Sequence, residues 1–257
     1  AREFVPREAN VVAHRQTTPL FGLGLVEAIP DATILAGVRD GKPDGVKGKA
    51  HIVTDVVSGQ PMVGRFGWKA QQATLLAFSG DAYVNEMGVT NRFFPTENAP
   101  NGKADVLAAY DNIADPEDSI DPETGKADID HSADFMRFLA PPQPLPLTVS
   151  AQQGRQLFTQ LNCAVCHLPS MMTARSNVTA LSQKPVNLYS DLLLHDMGSL
   201  GDGSRMARGS RALRGGEFGA QPLNRFGFGK GQAGGVLFSV GQRLACQVQL
   251  ALTCEQL

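Results

Sequence analysis

The stretch Asn162-Cys163-Ala164-Val165-Cys166-His167-Leu168-Pro169 contains the motif Cys-x-x-Cys-His. This spacing is typical of the attachment sequence for a c-type haem. Two thiols three positions apart on a tight turn can reach both vinyl groups of one porphyrin, and His167 is then carried under the ring. A neutral imidazole nitrogen in that position can bind iron. The sequence therefore predicts one covalent haem c on Cys163 and Cys166, with His167 as the proximal iron ligand.

Two other interpretations of the motif are less well supported by the surrounding sequence. A thioredoxin-like redox pair would be expected in a βαβ setting, and none is visible near the motif. A zinc site would need a second ligand pair at short spacing. The remaining cysteines, Cys246 and Cys254, are eight positions apart and do not supply it. They could pair with each other in an oxidising compartment, but the sequence does not establish that bond.

Length and composition limit the possible classes of protein. The 257 residues are enough for one large domain or two small ones, and the hydrophobic fraction of 42% is enough for a core. A net charge of −2 argues against nucleic acid as a partner. No apolar run approaches the roughly 18 residues of a membrane span. The chain starts at Ala1 without Met or a signal peptide, so we expect a processed protein or a fragment. Because haem c is attached outside the cytoplasm, we expect a periplasmic or otherwise exported protein.

Residues 1–140 are predicted to form an irregular, α-rich region with a small β-hairpin. Hydrophobic alternation over residues 49–67, broken at Ser58-Gly59, indicates the hairpin, with His51 in its first strand. Helical spacing and punctuation predict three helices, over Leu23–Ile29, Trp68–Met87 and Ile129–Leu139. Gly80 is a possible break in the second. In the third, Phe135, Phe138 and Leu139 are expected to face inward.

An acidic, loop-like segment occupies residues 95–130. Its carboxylates cluster among prolines and a glycine, and comprise Asp115, Glu117, Asp118, Asp121, Glu123, Asp128 and Asp130. Clustered carboxylates can hold Ca²⁺, so the segment is a candidate calcium site. The spacing does not match an EF-hand loop, and such acidic runs are usually solvated.

Residues 141–149 are rich in proline and are predicted to be a stiff connector between two domains. Beyond it, residues 150–257 are predicted to form a cytochrome c-like haem domain. Ser150-Ala151-Gln152-Gln153 matches a capping box that opens a helix, whose apolar face carries Leu157, Phe158 and Leu161. The expected partner is a helix near the end of the chain, with apolar residues at Val240, Leu244, Val248 and Leu252. Between the two helices, Arg205, Arg208, Arg211 and Arg214 could meet haem propionates or an acidic partner, although a solvated basic loop is the simpler interpretation.

The ligand on the other face of the iron determines what the haem can do. A haem with two protein ligands mainly passes electrons, whereas an open position admits peroxide or oxygen. The stretch Leu192-Leu193-Leu194-His195-Asp196-Met197-Gly198 follows the motif by about thirty residues and is the best source of a sixth ligand. Met197 is favoured over His195, and a thioether would give the higher reduction potential. The remaining alternative is that Met197 packs in the core and the sixth position is open.

Several stretches, in the same order, resemble the bacterial di-haem c-type cytochrome oxidoreductases described as putative peroxidases or thiol oxidoreductases. They cover about residues 10–200 and comprise Arg15–Gly24, Gly64–Ala70, Met87–Asn91, Phe138–Pro142, Cys163–Pro169 and Tyr189–Gly198. That family is distantly similar to the di-haem cytochrome c peroxidases and the methylamine-utilisation di-haem enzyme. The resemblance implies two cytochrome c-like domains, one haem accepting electrons and the other meeting the oxidant.

The sequence differs from that family pattern at both ends. It holds one Cys-x-x-Cys-His, and the first haem motif is expected to precede Thr17-Thr18-Pro19. After about Leu223 the expected aromatic-rich continuation with a His-Asp-Gly turn is absent. No peroxidatic haem can therefore be assigned, and no catalytic residue is predicted. We expect an electron-transferring haem protein, the electron-transfer portion of a di-haem peroxidase-like oxidoreductase. The alternatives are a mono-haem electron carrier and an interaction module of an exported assembly. A redox partner protein, or another haem-bearing segment or chain, is implied.

Overall fold

The computed structural model describes residues 17–38, 42–99, 102–110 and 118–197, with isolated positions 5, 7, 9 and 12 before them. The described chain forms two compact units that alternate along the sequence. Ile52–Phe138 belongs to the first unit, whereas Pro19–His51 and residues 139–197 belong to the second. Within the described residues, the motif-bearing unit is therefore built from two segments that are far apart in the sequence. The domain boundary expected at residues 141–149 stays a prediction.

Helix predominates over strand in the described residues, as the sequence predicts. The α-helices are α1 (Leu23–Glu27), α2 (Asp31–Leu35), α3 (Leu75–Ala82), α4 (Ala104–Tyr110), α5 (Asp128–Phe138) and α6 (Val149–Gln160). The strands are β1 (Gly48–Lys49), β2 (Ile52–Thr54), β3 (Pro61–Val63), β4 (Met171–Met172), β5 (Pro185–Val186) and β6 (Leu194–His195). The strands pair antiparallel as β1 with β6, β2 with β3, and β4 with β5. No helix within these described ranges is long and apolar enough to cross a membrane.

The predicted hairpin is confirmed as the β2–β3 pair, with Ile52 opposite Val63 and Thr54 opposite Pro61. His51 lies immediately before the first strand, so its assignment to that strand was wrong by one residue. The turn is held by the buried side chain of Asp55, which accepts hydrogen bonds from the Ser58 amide and hydroxyl. A short carboxylate that binds the backbone ahead of it is a common way to fix a turn.

The predicted 68–87 helix begins seven residues later than expected, at Leu75. Thr74 caps α3 by accepting a hydrogen bond from the Ala77 amide, and its hydroxyl donates to Asp55 Oδ1. A side-chain oxygen at the N-cap satisfies an amide that has no partner within the helix. Gly80 does not break the helix, which continues into a π-helical turn at Tyr83–Met87. A Cβ at Gly80 would come within 2.9 Å of both Asn91 Oδ1 and Phe94 Cδ2, so the glycine permits close packing.

Helix α5 lies where the sequence predicts it but buries a different face. Ile129, Ala133 and Met136 are buried, at the i, i+4, i+7 spacing of one helix face. Phe135 and Phe138 are 62% and 56% exposed, so the expectation that they face inward was wrong. The buried face packs against α3. The helix carries two apolar stripes, and the stripe that contains Ala133 is the one that is buried.

Helix α6 carries the chain into the motif and begins earlier than the predicted capping box. Its N-cap is Thr148, whose side chain accepts a hydrogen bond from the Ala151 amide. Ser150 therefore lies inside the first turn, and its assignment as the cap was wrong. Leu157 and Leu161 are exposed in the described structure. Their predicted partner at residues 240–252, and the arginines at 205–214, lie outside the described residues.

Candidate functional site

The Cys-x-x-Cys-His motif occupies a tight turn directly after α6. Asn162, with φ of 59°, ends the helical path, and Cys163–Val165 forms one turn of 3-10 helix. The His167 amide donates to the Cys163 carbonyl at 2.9 Å, which closes the turn. Both cysteines are free thiols and half-buried. The turn therefore presents two thiols and one imidazole from five consecutive residues, as attachment of a porphyrin requires.

The imidazole of His167 is oriented by a backbone carbonyl. Its Nδ1 lies 3.1 Å from the Tyr189 oxygen. A carbonyl oxygen can only accept, so Nδ1 must carry the hydrogen and Nε2 of the neutral ring keeps its lone pair. A histidine that binds a metal usually donates its other ring N–H to such a group, which fixes the tautomer and the ring plane. The position of His167 thus suits an Nε2 ligand to iron.

The aromatic ring of Phe158 packs beside the imidazole of His167. Phe158 of α6 lies with its ring centroid 6.3 Å from that of His167 and makes an edge-on contact with Tyr189 at 5.6 Å. Tyr189 itself has a left-handed backbone, with φ of 49°. A non-glycine residue in this region is uncommon and costs conformational energy. The strained residue is the one whose carbonyl accepts the hydrogen bond from His167.

A buried carboxylate joins the motif to the segment that carries the proposed sixth ligands. The Asp191 amide donates to the Cys166 carbonyl at 3.0 Å. Its carboxylate accepts from Lys42 Nζ at 3.3 Å and from the Leu193 amide at 3.1 Å. The side chains of Lys42 and Asp191 are only 5% and 6% exposed. We call Lys42, Asp191 and His195 the charged cluster.

His195 completes the charged cluster. Its Nε2 lies 3.1 and 3.0 Å from the two carboxylate oxygens of Asp191, and its Nδ1 lies 3.1 Å from the Lys47 carbonyl. Carboxylates and carbonyls only accept, so either ring nitrogen finds an acceptor in place for a hydrogen that it carries. Nδ1 is also 4.0 Å from Cys166 Sγ. The imidazole therefore lies directly beside one of the two thiols of the motif.

The environment of Cys166 favours the neutral thiol. Burial raises the pKa of Cys166 most, the carboxylate of Asp191 raises it further, and Lys42 opposes the rise. A raised pKa keeps the sulfur protonated and weakens it as a free nucleophile. This is not the environment of a redox-active cysteine pair, which needs a lowered pKa. It is compatible with a thiol that is held in place for attachment.

Met197 follows β6 and is 42% exposed. The β1–β6 register places Gly48 opposite His195 and Lys49 opposite Leu194, which fixes the backbone just before Met197. Leu192 has a φ of 56°, so the chain turns sharply before this strand. Met197 and His195 as candidates for the sixth position stay predictions. Gly198, the last residue of the predicted ligand stretch, lies outside the described residues.

The acidic segment shows no metal site in the residues that are described. Among them, no three His, Cys, Asp or Glu side chains are close enough to hold a metal ion. Asp130 pairs with Arg92 at 2.6 Å, and Asp121 accepts from the Glu123 amide and the Thr124 hydroxyl. Asp115 and Glu117 lie outside the described ranges. The Ca²⁺ hypothesis receives no support from these contacts.

Sequence reasoning identified the motif and the 192–198 segment but missed the groups that connect them. Lys42 and the Lys47 carbonyl come from a segment 148 or more positions earlier, and no local pattern marks them. Asp191 lies one residue before the stretch that was singled out. The left-handed Tyr189 also left no signal, since neither its residue type nor its neighbours favour that backbone.

Comparison with known proteins identifies the relationship of the chain. No curated protein and no solved structure matched it. One family model, described as "Di-haem oxidoreductase, putative peroxidase", matches residues 6–237. The match includes the motif, the charged cluster and the whole described structure from residue 7 onward. It covers most of the 257 residues and agrees with the resemblance seen in the separate stretches. The chain belongs to the di-haem oxidoreductase family.

Proposed function

We propose that this chain binds one haem covalently through Cys163 and Cys166, with His167 Nε2 as the proximal iron ligand, and that it transfers electrons. The observation that carries the proposal is the hydrogen bond from His167 Nδ1 to the Tyr189 carbonyl, which leaves Nε2 available. Each thiol would add across one vinyl group, with the S–H hydrogen passing to the other vinyl carbon, so attachment needs no oxidant. The bound haem would supply a one-electron iron couple.

The residues of this chain would orient and shield that group. Phe158 and the Tyr189 carbonyl hold the plane of the His167 ring, and the Asp191 amide holds the carbonyl of Cys166. The proposed sixth ligand is Met197, with His195 as the second choice. If Met197 binds, the site is an electron-transfer site of relatively high potential, and reaction with peroxide would require a different haem.

Within the family, we propose that the chain supplies the electron-transfer portion of a di-haem, peroxidase-like oxidoreductase. Membership in a di-haem family supports this role. The second candidate is a mono-haem electron carrier, and a second Cys-x-x-Cys-His in the full-length protein would favour the di-haem enzyme over it. Both roles imply a redox partner protein and a periplasmic or otherwise exported location, because haem c is attached there.

Protein produced with a working cytochrome c maturation system tests the proposal. We expect its mass to include one haem and its pyridine haemochrome spectrum to be that of haem c. Cys166→Ala should weaken covalent retention, while Cys246→Ala, which lies outside the motif, should not. An unmodified mass would contradict the proposal. Turnover with peroxide would support the enzyme, and a six-coordinate haem inert to peroxide would support the carrier.

We also propose a domain boundary at residues 141–149, where segments on both sides of the boundary contribute to one compact unit. Limited proteolysis should cut this exposed segment. Because β1 pairs with β6 and Lys42 pairs with Asp191, the two pieces should stay associated in native buffer and separate only in denaturant. Cleavage confined to residues 150–197 would contradict the boundary.

A further inference from the structure

We propose that Asp191 is a positioning residue that keeps His195 off the haem iron, so that the sixth position is left to another ligand or stays open. The inference rests on the proposed attachment of haem at Cys163 and Cys166. It goes further, because it states which of two neighbouring donors is withheld from the metal and what withholds it.

His195 is close enough to the proposed haem for its restraint to matter. Its Nδ1 is 4.0 Å from Cys166 Sγ, the atom that would form one bond to the porphyrin. An imidazole so near the macrocycle is a strong competitor for iron, because histidine is the commonest metal ligand among side chains. Something must therefore decide whether it binds.

The hydrogen bonds of His195 occupy both atoms that could bind the metal. Nε2 lies within hydrogen-bond distance of the Asp191 carboxylate, and Nδ1 lies within hydrogen-bond distance of the Lys47 carbonyl. Both ring nitrogens are thus engaged by acceptors that the fold holds in place. To bind iron, His195 would have to give up at least one of these contacts and reorient.

Asp191 is itself held by groups on every side of its carboxylate. Lys42 Nζ binds Oδ2, the Leu193 amide binds Oδ1, and the Asp191 amide is tied to the Cys166 carbonyl. A buried carboxylate with this many charge-assisted partners cannot turn away without leaving charges unpaired. The anchor of His195 is thus more rigid than an exposed ion pair would be.

The backbone of His195 is fixed as well. It pairs with Gly48 in the β1–β6 ladder. A Cβ at Gly48 would lie 2.5 Å from Leu193 Cδ1 and 3.1 Å from His195 Cε1, so a side chain here would displace Leu193 and crowd the His195 ring. Strand pairing and carboxylate together hold the imidazole from two directions.

The test compares iron coordination in haem-loaded protein by electron paramagnetic resonance and near-infrared absorption. In the unmodified protein and in His195→Ala we expect the same spectra, without a bis-imidazole signal. In Asp191→Ala we expect most of the ferric haem to convert to a bis-imidazole form with a lower reduction potential. The double variant Asp191→Ala/His195→Ala should lose that form. Asp196→Ala, which removes an exposed carboxylate beside His195, is the matched control and should leave the spectra unchanged.

Three results would overturn the inference. One is a bis-imidazole signal in the unmodified protein that disappears in His195→Ala. Another is a haem-bearing Asp191→Ala protein with unaltered coordination. The third is conversion in Asp191→Ala that persists in the double variant. Should Asp191→Ala fail to fold, the comparison of unmodified protein with His195→Ala still decides whether His195 binds iron. Absence of covalent haem from unmodified protein would instead refute the proposed function, so the two failures are distinguishable.

Discussion

The buried pair of Lys42 and Asp191 gives the sharpest prediction about what holds the motif-bearing unit together. The two charged atoms are 3.3 Å apart, and both side chains are almost fully buried. With an effective dielectric constant near 20, their attraction is about 5 kcal/mol. Desolvation offsets much of that gain, so the pair adds little net stability compared with an apolar pair. Removing one partner is different, because the other charge stays buried.

The changes are Lys42→Met, Asp191→Asn and the double variant. Asp191→Asn leaves a buried ammonium and weakens the bonds to Leu193 and His195, so we expect it to lower the free energy of unfolding by about 3–5 kcal/mol. Lys42→Met leaves a carboxylate that still accepts from Leu193 and His195, so its cost should be smaller, about 2–3 kcal/mol. The double variant should cost less than the sum, with a coupling energy of about 1–3 kcal/mol.

Urea unfolding followed by far-ultraviolet circular dichroism measures these changes in the free energy of unfolding. Amide hydrogen exchange of the peptide covering residues 189–197 should localise the effect to the segment that carries Asp191. Lys184→Met, a lysine change elsewhere in the same unit, is the control and should cost much less. Strict additivity of the two single changes, or single costs below about 1 kcal/mol, would refute the argument that the pair is buried and coupled.

Three further outcomes are expected. In urea unfolding, Ile129→Ala should lower the free energy of unfolding by about 2–5 kcal/mol, because the Ile129 side chain is 0% exposed. Phe135→Ala, at an exposed position of the same helix, should lower it by under about 0.5 kcal/mol. The reverse order would mean that α5 packs by its other face. Gly48→Ala should lower the free energy of unfolding by about 1–3 kcal/mol, because the added methyl group would overpack against Leu193 and His195. An unchanged free energy of unfolding would disprove the close approach of these residues to Gly48. Burial raises the pKa of Asp130, but hydrogen bonds from Arg92 and a backbone amide outweigh it and leave the pKa lowered. Stability that is present above the unfolded-state pKa should therefore be lost as the pH falls through the lowered pKa, and an Asp130→Asn protein with the same acid dependence would contradict this.

Local patterns predicted the elements that depend on neighbouring residues. The β2–β3 hairpin, α1 and the motif turn follow from short stretches whose turn residues and spacing leave few alternatives. The first residue of a helix was harder to predict, since Thr148 and Ser150 are both good N-cap residues and the local sequence does not distinguish between them. The buried face of α5 depended on how closely α3 can approach, which periodicity alone does not show.

The residues of the candidate site also divide into those that a local sequence pattern reveals and those that it does not. Cys163, Cys166 and His167 are contiguous, so the sequence reveals them as a group. Lys42 and Asp191 are 149 positions apart and meet only because β1 and β6 pair. The Tyr189 and Lys47 contributions are backbone carbonyls, which every residue possesses, so no residue type signals them. The residues of the motif could therefore be predicted from the sequence, whereas the groups that orient them are identified only by the three-dimensional structure.

The alternation of the chain between its two units has a consequence for the order of folding. Ile52–Phe138 contains the β2–β3 hairpin and the α3–α5 contact within one continuous segment, so we expect these elements to form early. The motif-bearing unit must instead close a loop of about 150 residues to join Lys42 to Asp191, at an entropic cost of roughly 4 kcal/mol. Prior folding of the inserted unit shortens that loop, so we expect pulse-labelled amides of α3 to be protected before those of β1. Before the 189–197 segment is in place, the Asp191 amide does not yet hold the turn that carries Cys163 and Cys166, so we expect the proposed haem attachment to be easiest at that stage.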